Sequence, residues 1–501
     1  MGLKQKIASS LAVYLTMMSL LFPNSLTAKN EKNRPWYPSI DAFEHYNSGR
    51  THLFDKAKFG GSFSKPNTVT ANLAPFTYPS VYNITYLNHK EIFVYGGGYG
   101  NVPGSIGAFV AKINPKTLKP IWYHQLADIN IVNEWDYPGV MGILHKGHLY
   151  VIYGYRLSKL DPDTGRVIAT LTLPTGGALF ENTVYNGFDA TADGVLVMKS
   201  IYRQAGCTLQ GPDAIVDCPD PTDVPPSILV SVDPDKMKVL DQVTLPTTIF
   251  GRVTIGKHKE KSYAYLISND TYIRYLVNKQ GALCFDDSWN PGTLILPGQT
   301  TGSTLVVFDD WVVGQTNATP AAQALSVVAV SQSDALRTFS IQPFLGDPIP
   351  PLVAAAFSFA APGGEPAVSW MPSPVSIDPE SNIIYAMDAL PGEIAALKLG
   401  PHGFTTLWKA SQTTTESIAI IGSKQKRAIV GTDIPVSQIP GDNTNDFVVW
   451  RDAATGAELA RSPLLPAITD GSMVQPYYFG NMFYPGRLGA FYELKPQRLK
   501  N

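Results

Sequence analysis

Charge is scarce in this chain: Asp, Glu, Lys and Arg together make up 16% of its 501 residues, and the formal net charge is −2. A nucleic-acid binder needs a basic surplus that is absent here. Histidine is scarce too, with eight residues and none in a metal-ligand pattern, so a zinc or copper enzyme has no support. The nearest pair, His145 and His148 in "HKGH", falls on a hairpin turn and reads as exposed polar groups. There is no C-x-x-C-H haem attachment site and no G-x-S-x-G nucleophile elbow. "GGGYG" at 96–100 lacks the following helix that a phosphate-cradling loop needs. "GDNTNDF" at 441–447 lacks the Gly and distal Glu of an EF-hand and reads as a loop with Asx-turns.

Long apolar runs are missing beyond the first residues. Lys4 and Lys6 precede an apolar run from Ile7 to Phe22, followed by Pro23 and "SLTA", which reads as a signal peptide over 1–28 cleaved after Ala28. A retained anchor is the competing reading of that run. No Cys lies in it, so no lipid anchor is expected, and no later segment is suited to span a bilayer. A secreted or periplasmic location follows, and the mature chain carries 37 basic and 41 acidic residues, a formal charge of −4. The three cysteines fit export: Cys207 and Cys218 bracket a Pro- and Asp-rich loop and are expected to pair. Cys284, in "GALCFDD", is read as a buried free thiol.

What is abundant is turn chemistry, with 42 Gly and 40 Pro in a chain that is 44% hydrophobic. One formula recurs: "LDPDTGRVIATLTL" from 160, "VDPDKMKVLDQVTL" from 232 and "RDAATGAELARSPL" from 451. Each is a strand, a tight turn braced by Asp or Asn, and a second strand. Seven such hairpins occur, and they alternate with eight hairpins rich in Val, Ile and Tyr; the last unit, "LGAFYELKP" from 488, is truncated. A ring of four-stranded antiparallel blades explains the shortfall, because a propeller closes when one terminus completes the blade begun by the other. The fold expected is therefore an all-β, eight-bladed propeller, with "NTVTANL" at 67–73 as outer strand of the last blade. Seven blades is the alternative count, and an all-β solenoid the competing architecture. The expected layout is an N-terminal extension at 29–66, the propeller at 67–496 and a tail at 497–501, with a short helix possible only within 39–58.

In its fullest form, D-x-x-T-G-x-x-x-W, the hairpin formula resembles the repeat of quinoprotein alcohol dehydrogenase-like (PQQ-like) β-propellers. Its first column holds Asn114, Asp161, Asp233, Asn278, Ser331, Gly400 and Asp452. The tryptophan column holds Trp122, Ala169, Asp241, Asp286, Phe339, Trp408 and Ala460. In that family the tryptophans pack between neighbouring blades, so most seams here must be closed otherwise. The fold serves PQQ-dependent dehydrogenases and a non-enzymatic outer-membrane assembly propeller alike. The dehydrogenases typically carry a calcium site of Glu, Asn and Asp, an aromatic stacking platform and often a disulfide between adjacent cysteines, and this chain has no adjacent cysteines.

In a propeller the segments leading into the innermost strands face one mouth of the central channel. Those lead-ins supply Glu134, Trp135, Asp136, Glu181, Asn182, Arg252, Trp370, Glu416, Asp470 and Gln475. They form a candidate ring with Trp135 and Trp370 as aromatic walls, carboxylate and amide oxygens suited to a hard cation such as Ca²⁺, and Arg252 for an anionic group. The bland reading of the same residues is a set of solvated mouth loops. The function expected is a ligand-binding or protein-interaction scaffold, for a small molecule or a protein at the mouth. A PQQ- and calcium-dependent oxidoreductase is the alternative, and a propeller lyase or hydrolase a third. Two inserts, 203–226 and the apolar 342–371, exceed what a blade needs.

Overall fold

The computed structural model describes residues 35–97, 105–127, 134–211, 213–220, 223–301, 304–351, 353, 367–435 and 445–499. The signal segment, and parts of "GGGYG", "GDNTNDF" and the 342–371 insert, lie outside the described residues. The chain forms eight four-stranded antiparallel blades. The innermost strands, in blade order, are Asn83–Asn88, Met141–Ile143, Thr183–Ala190, Thr254–His258, Val306–Phe308, Ser376–Asp378, Ala419–Ser423 and Gln475–Pro476. Burial follows position in the blade: Thr183–Ala190 is buried throughout, whereas the outer strand Lys238–Thr244 alternates exposed and half-buried residues. The expected closure is present, since Asn67–Leu73 pairs antiparallel with Phe491–Arg498 from Asn67 opposite Arg498 to Leu73 opposite Tyr492.

The repeated turn works as its residues dictate. Asp161 Oδ1 accepts the N–H groups of Asp163 and Thr164, and Asp452 Oδ1 those of Ala454 and Thr455. Asn114, Asp233, Asn278 and Ser331 each cap their turns the same way. The turn also makes the seam. A Cβ on Gly165 would lie 2.5 Å from the Trp122 ring of the preceding blade, and one on Gly456 would lie 2.7 Å from Trp408. Their indole N–H groups donate to Pro162 O and Ala453 O of the same turns. The two tryptophans that survive are thus followed, one blade later, by the two Thr-Gly turns. The seam between blades 3 and 4 adds a polar contact, Asp241 Oδ2 accepting the N–H of Leu283 at 2.8 Å, and between blades 4 and 5 Trp289 Nε1 donates to Ser331 O at 2.9 Å.

Residues 36–57 enter the channel and touch every blade. Their carbonyls accept N–H groups from the innermost strands: Asp41 from Tyr86, Ala42 from Ile143, Ser48 from Ile255, Gly49 from Val307, Thr51 from Ile377 and His52 from Ile420. Leu53–Phe54 adds a parallel strand to Ala419–Ser423. Ser48 Oγ donates to Ala190 O, and Gln475 Nε2 donates to Asp41 Oδ2. The edges that eight inner strands leave bare are covered from within. The short helix expected within 39–58 does not form. His45, Tyr46, Arg50 and His52 all have positive φ, and the carbonyls that a helix would use internally are spent on the blades.

The Cys207–Cys218 disulfide is present. Cys284 is exposed, contrary to expectation, because the outer strand Leu283–Phe285 is a three-residue edge that only Leu283 turns inward.

Candidate functional site at the channel mouth

Because strands alternate in direction, every lead-in and every connection between the second and third strands of a blade falls on one face, called upper here. The described parts of the two inserts lie there, while the lower face carries short turns such as those between Asn88 and Glu91 and between His258 and Lys261.

The structure gathers five predicted residues, Glu134 to Asp136 with Glu181 and Asn182, around the disulfide insert. Trp135 is buried, donates from Nε1 to Gly211 O at 3.0 Å, and packs with Val184, Ile201, Cys207 and Cys218. Gln210 bridges the Glu134 carbonyl and the Asp136 N–H. Arg203 holds Asn182 Oδ1 and the Glu181 carbonyl, both at 3.1 Å. The Glu134 carboxylate takes Arg156 at 2.7 Å and the Tyr155 hydroxyl at 2.9 Å; burial raises its pKa, but these donors outweigh that and hold it below the usual range. The insert is therefore pinned across the lead-ins of blades 2 and 3.

The remaining predicted residues occupy three other places. Trp370 packs with Val353, Leu390 and Ile434, apart from the Trp135 cluster, so the two indoles are not walls of one pocket. Glu416 Oε1 accepts the N–H of Gly471 at 3.2 Å, and Asp470 pairs with Arg487. Arg252 reaches from blade 4 to the blade 1 hydroxyl of Tyr82 and pairs with Glu44 at 2.6 Å; Gln475 holds Asp41.

Glu44 and its surroundings were not legible as a site. Glu44 takes Arg50 at 2.9 Å as well as Arg252, and all three side chains are buried or nearly so. Beside them His52 Nε2 and His45 Nδ1 stand 2.5 Å apart. Burial, then the neighbouring arginines, push the His45 pKa well below the ordinary value; burial, then His45 and Arg50, do the same for His52. Burial also lowers Lys199 and lifts Asp189 to about 7. The available signal was the density of aromatic and charged residues in 36–54, which is unlike a linker.

Above this layer, two carboxyls keep a spare oxygen. Asp136 Oδ2, Glu416 Oε2 and the Thr469 hydroxyl have no hydrogen-bond partner among the described residues. Asp136 and Thr469 line a cavity with room for roughly one water molecule. Burial pushes Asp136 up to about 7, and burial with Asp470 and Asp446 nearby raises Glu416 well above its usual range.

The architecture is shared with solved structures. The quinohemoprotein alcohol dehydrogenase of Comamonas testosteroni superposes with a TM-score of 0.55 at 10% identity, covering 90% of this chain and 80% of that one. The chain has the PQQ-like eight-bladed propeller fold. The quinohemoprotein alcohol dehydrogenase ADHIIG of Pseudomonas putida HK5 gives 0.51 at 10% identity over 95% and 82% of the two chains. BamB of Moraxella catarrhalis gives 0.48 at 9% identity over 85% and 100%. No family model matches this PQQ-like propeller, and no curated protein matches it in sequence.

The predicted residues do not fit PQQ with calcium. The carboxylates expected to hold the ion are split between Arg156 and Arg487 or lie in separate lead-ins, and among the described residues no three His, Cys, Asp or Glu side chains gather as a metal site. Neither Trp135 nor Trp370 faces the other as a stacking platform. The pocket expected inside the mouth is filled by the chain's own Glu44 and Arg252.

Proposed function

We propose that this PQQ-like propeller is an exported binding scaffold that engages a protein partner through its upper face. The observation that carries this is the channel: residues 36–57 hydrogen-bond to the inner strands of all eight blades, and Glu134, Arg252 and Asp470 at the mouth are committed to ion pairs within the chain. A filled channel leaves recognition to the face around it. That face bears the inserts and large exposed apolar side chains, including Phe180 (48% exposed), Phe250 (39%) and Leu488 (66%). Among the described residues no helix is long and apolar enough to cross a membrane.

The test pairs a negative with a positive measurement. Calorimetric titration of the mature protein with PQQ, with and without Ca²⁺, is expected to show no heat, and tight calcium-dependent binding would overturn the reading. Photo-crosslinkers at Phe180, Phe250 and Leu488 are expected to trap a discrete partner in the source's envelope or secreted fraction. Crosslinkers at Leu336 and Phe479, on the lower face, are expected to trap none.

A further inference from the structure

One seam is open. Between blades 4 and 5 lies a cleft of about 350 Å³, lined by His258, Lys261, Tyr263, Cys284, Phe285 and Gln332 among others, with Lys259 at its edge. The tryptophan column of blade 4 holds Asp286. The Asp286 carboxylate turns back onto Arg274 of its own blade at 2.7 Å, and the indole of Trp289, three residues on, reaches blade 5 by donating to Ser331 O at 2.9 Å. The Arg274 guanidinium lies over Tyr263 and Trp289, 4.3 and 4.9 Å from the ring centroids. Arg274 and Asp286 neutralise each other and make a fixed floor.

Two properties remain at the opening. Lys259 and Lys261 are exposed and form no ion pair among the described residues; Lys257, beside them, is taken by Glu260. The acid nearest His258 is Asp310, 3.9 Å away. The rim is thus a local cationic surplus on a chain whose net charge is negative. Part of the wall is apolar: Phe285 is 53% exposed, next to Leu276 and the Cys284 side chain. Exposed aromatic surface beside unpaired ammonium groups, in a space the size of a small-molecule pocket, suits a flat apolar body carrying a negative head.

We propose that this cleft binds a small aromatic carboxylate, with the ring against Phe285 and Leu276 and the carboxylate between Lys259 and Lys261. The site is on the lower face, away from the proposed partner surface, and stands or falls independently of it.

Cys284, the free thiol, is a built-in reporter of occupancy. Alkylation of the intact, disulfide-bonded protein by neutral N-ethylmaleimide, followed by mass spectrometry, is measured with 1-naphthoate, 1-naphthalenemethanol or inorganic phosphate present. Naphthoate is expected to slow alkylation saturably, and the neutral alcohol to need at least about tenfold more for equal protection. Phosphate alone is expected to protect poorly. Lys259→Ala with Lys261→Ala is expected to erase the preference for the acid without changing the melting temperature. No protection up to the solubility of naphthoate, equal protection by acid and alcohol, equal protection by phosphate, or an unchanged preference in the double variant would each overturn the proposal.

Discussion

The central channel and the seam between blades 4 and 5 are both gaps that a ring of blades leaves behind, and charged residues line both. In the channel Glu44 is shared by Arg50 and Arg252, and the backbone around it is tied to the blades. In the seam Arg274 and Asp286 answer each other, while Lys259 and Lys261 face solvent unanswered. Buried charge demands a partner at folding, so the channel is structural; exposed unpaired charge costs little and stays available to a ligand.

The sharpest way to break that contrast is Glu44→Gln. It leaves Arg50 and Arg252 buried without a counter-charge, and a loss of roughly 3–5 kcal/mol is expected by denaturant unfolding. A loss under about 1 kcal/mol would mean that the channel tolerates free charge as the cleft does. Trp408→Ala comes next. Its half-buried ring fills a closed seam against Gly456, so about 3 kcal/mol is expected, and a new cavity should appear there comparable to the open one.

How much of this the sequence disclosed follows from the range of the interactions. The Asx-braced turns, the alternation of the strands and the closing strand at 67–73 are local patterns, and all were legible. The Cys207–Cys218 pair was legible from its short spacing around a Pro- and Asp-rich loop. The channel loop was not, because its hydrogen bonds join residues 41–52 to strands scattered from 86 to 420. Spacing does not reveal that Arg203 and Gln210 of the insert hold Asn182 and Asp136 in place. Cys284, read as buried, sits exposed on a three-residue outer strand, a placement that its local sequence does not show.

Acidity sharpens the comparison most finely. Asp189 lies under the channel loop, accepting the N–H groups of Ala190 and Ile255, and burial lifts its pKa to about 7, against the lowering pull of Arg50 and those two donors. An unfolded chain holds the same carboxyl near 3.9. Between those values the unfolded state is ionised while the folded state keeps its proton, so stability falls as pH rises from about 4 to 7, by up to about 1.4 kcal/mol per pH unit. Asp189→Asn cannot ionise and lacks this slope. The wild type is therefore expected to hold its greatest advantage over the variant near pH 4.5 and to lose it above pH 7, read as melting temperatures across that range. Parallel profiles for wild type and Asp189→Asn would show that Asp189 is already ionised in the folded protein, with Arg50 and the two N–H donors outweighing burial.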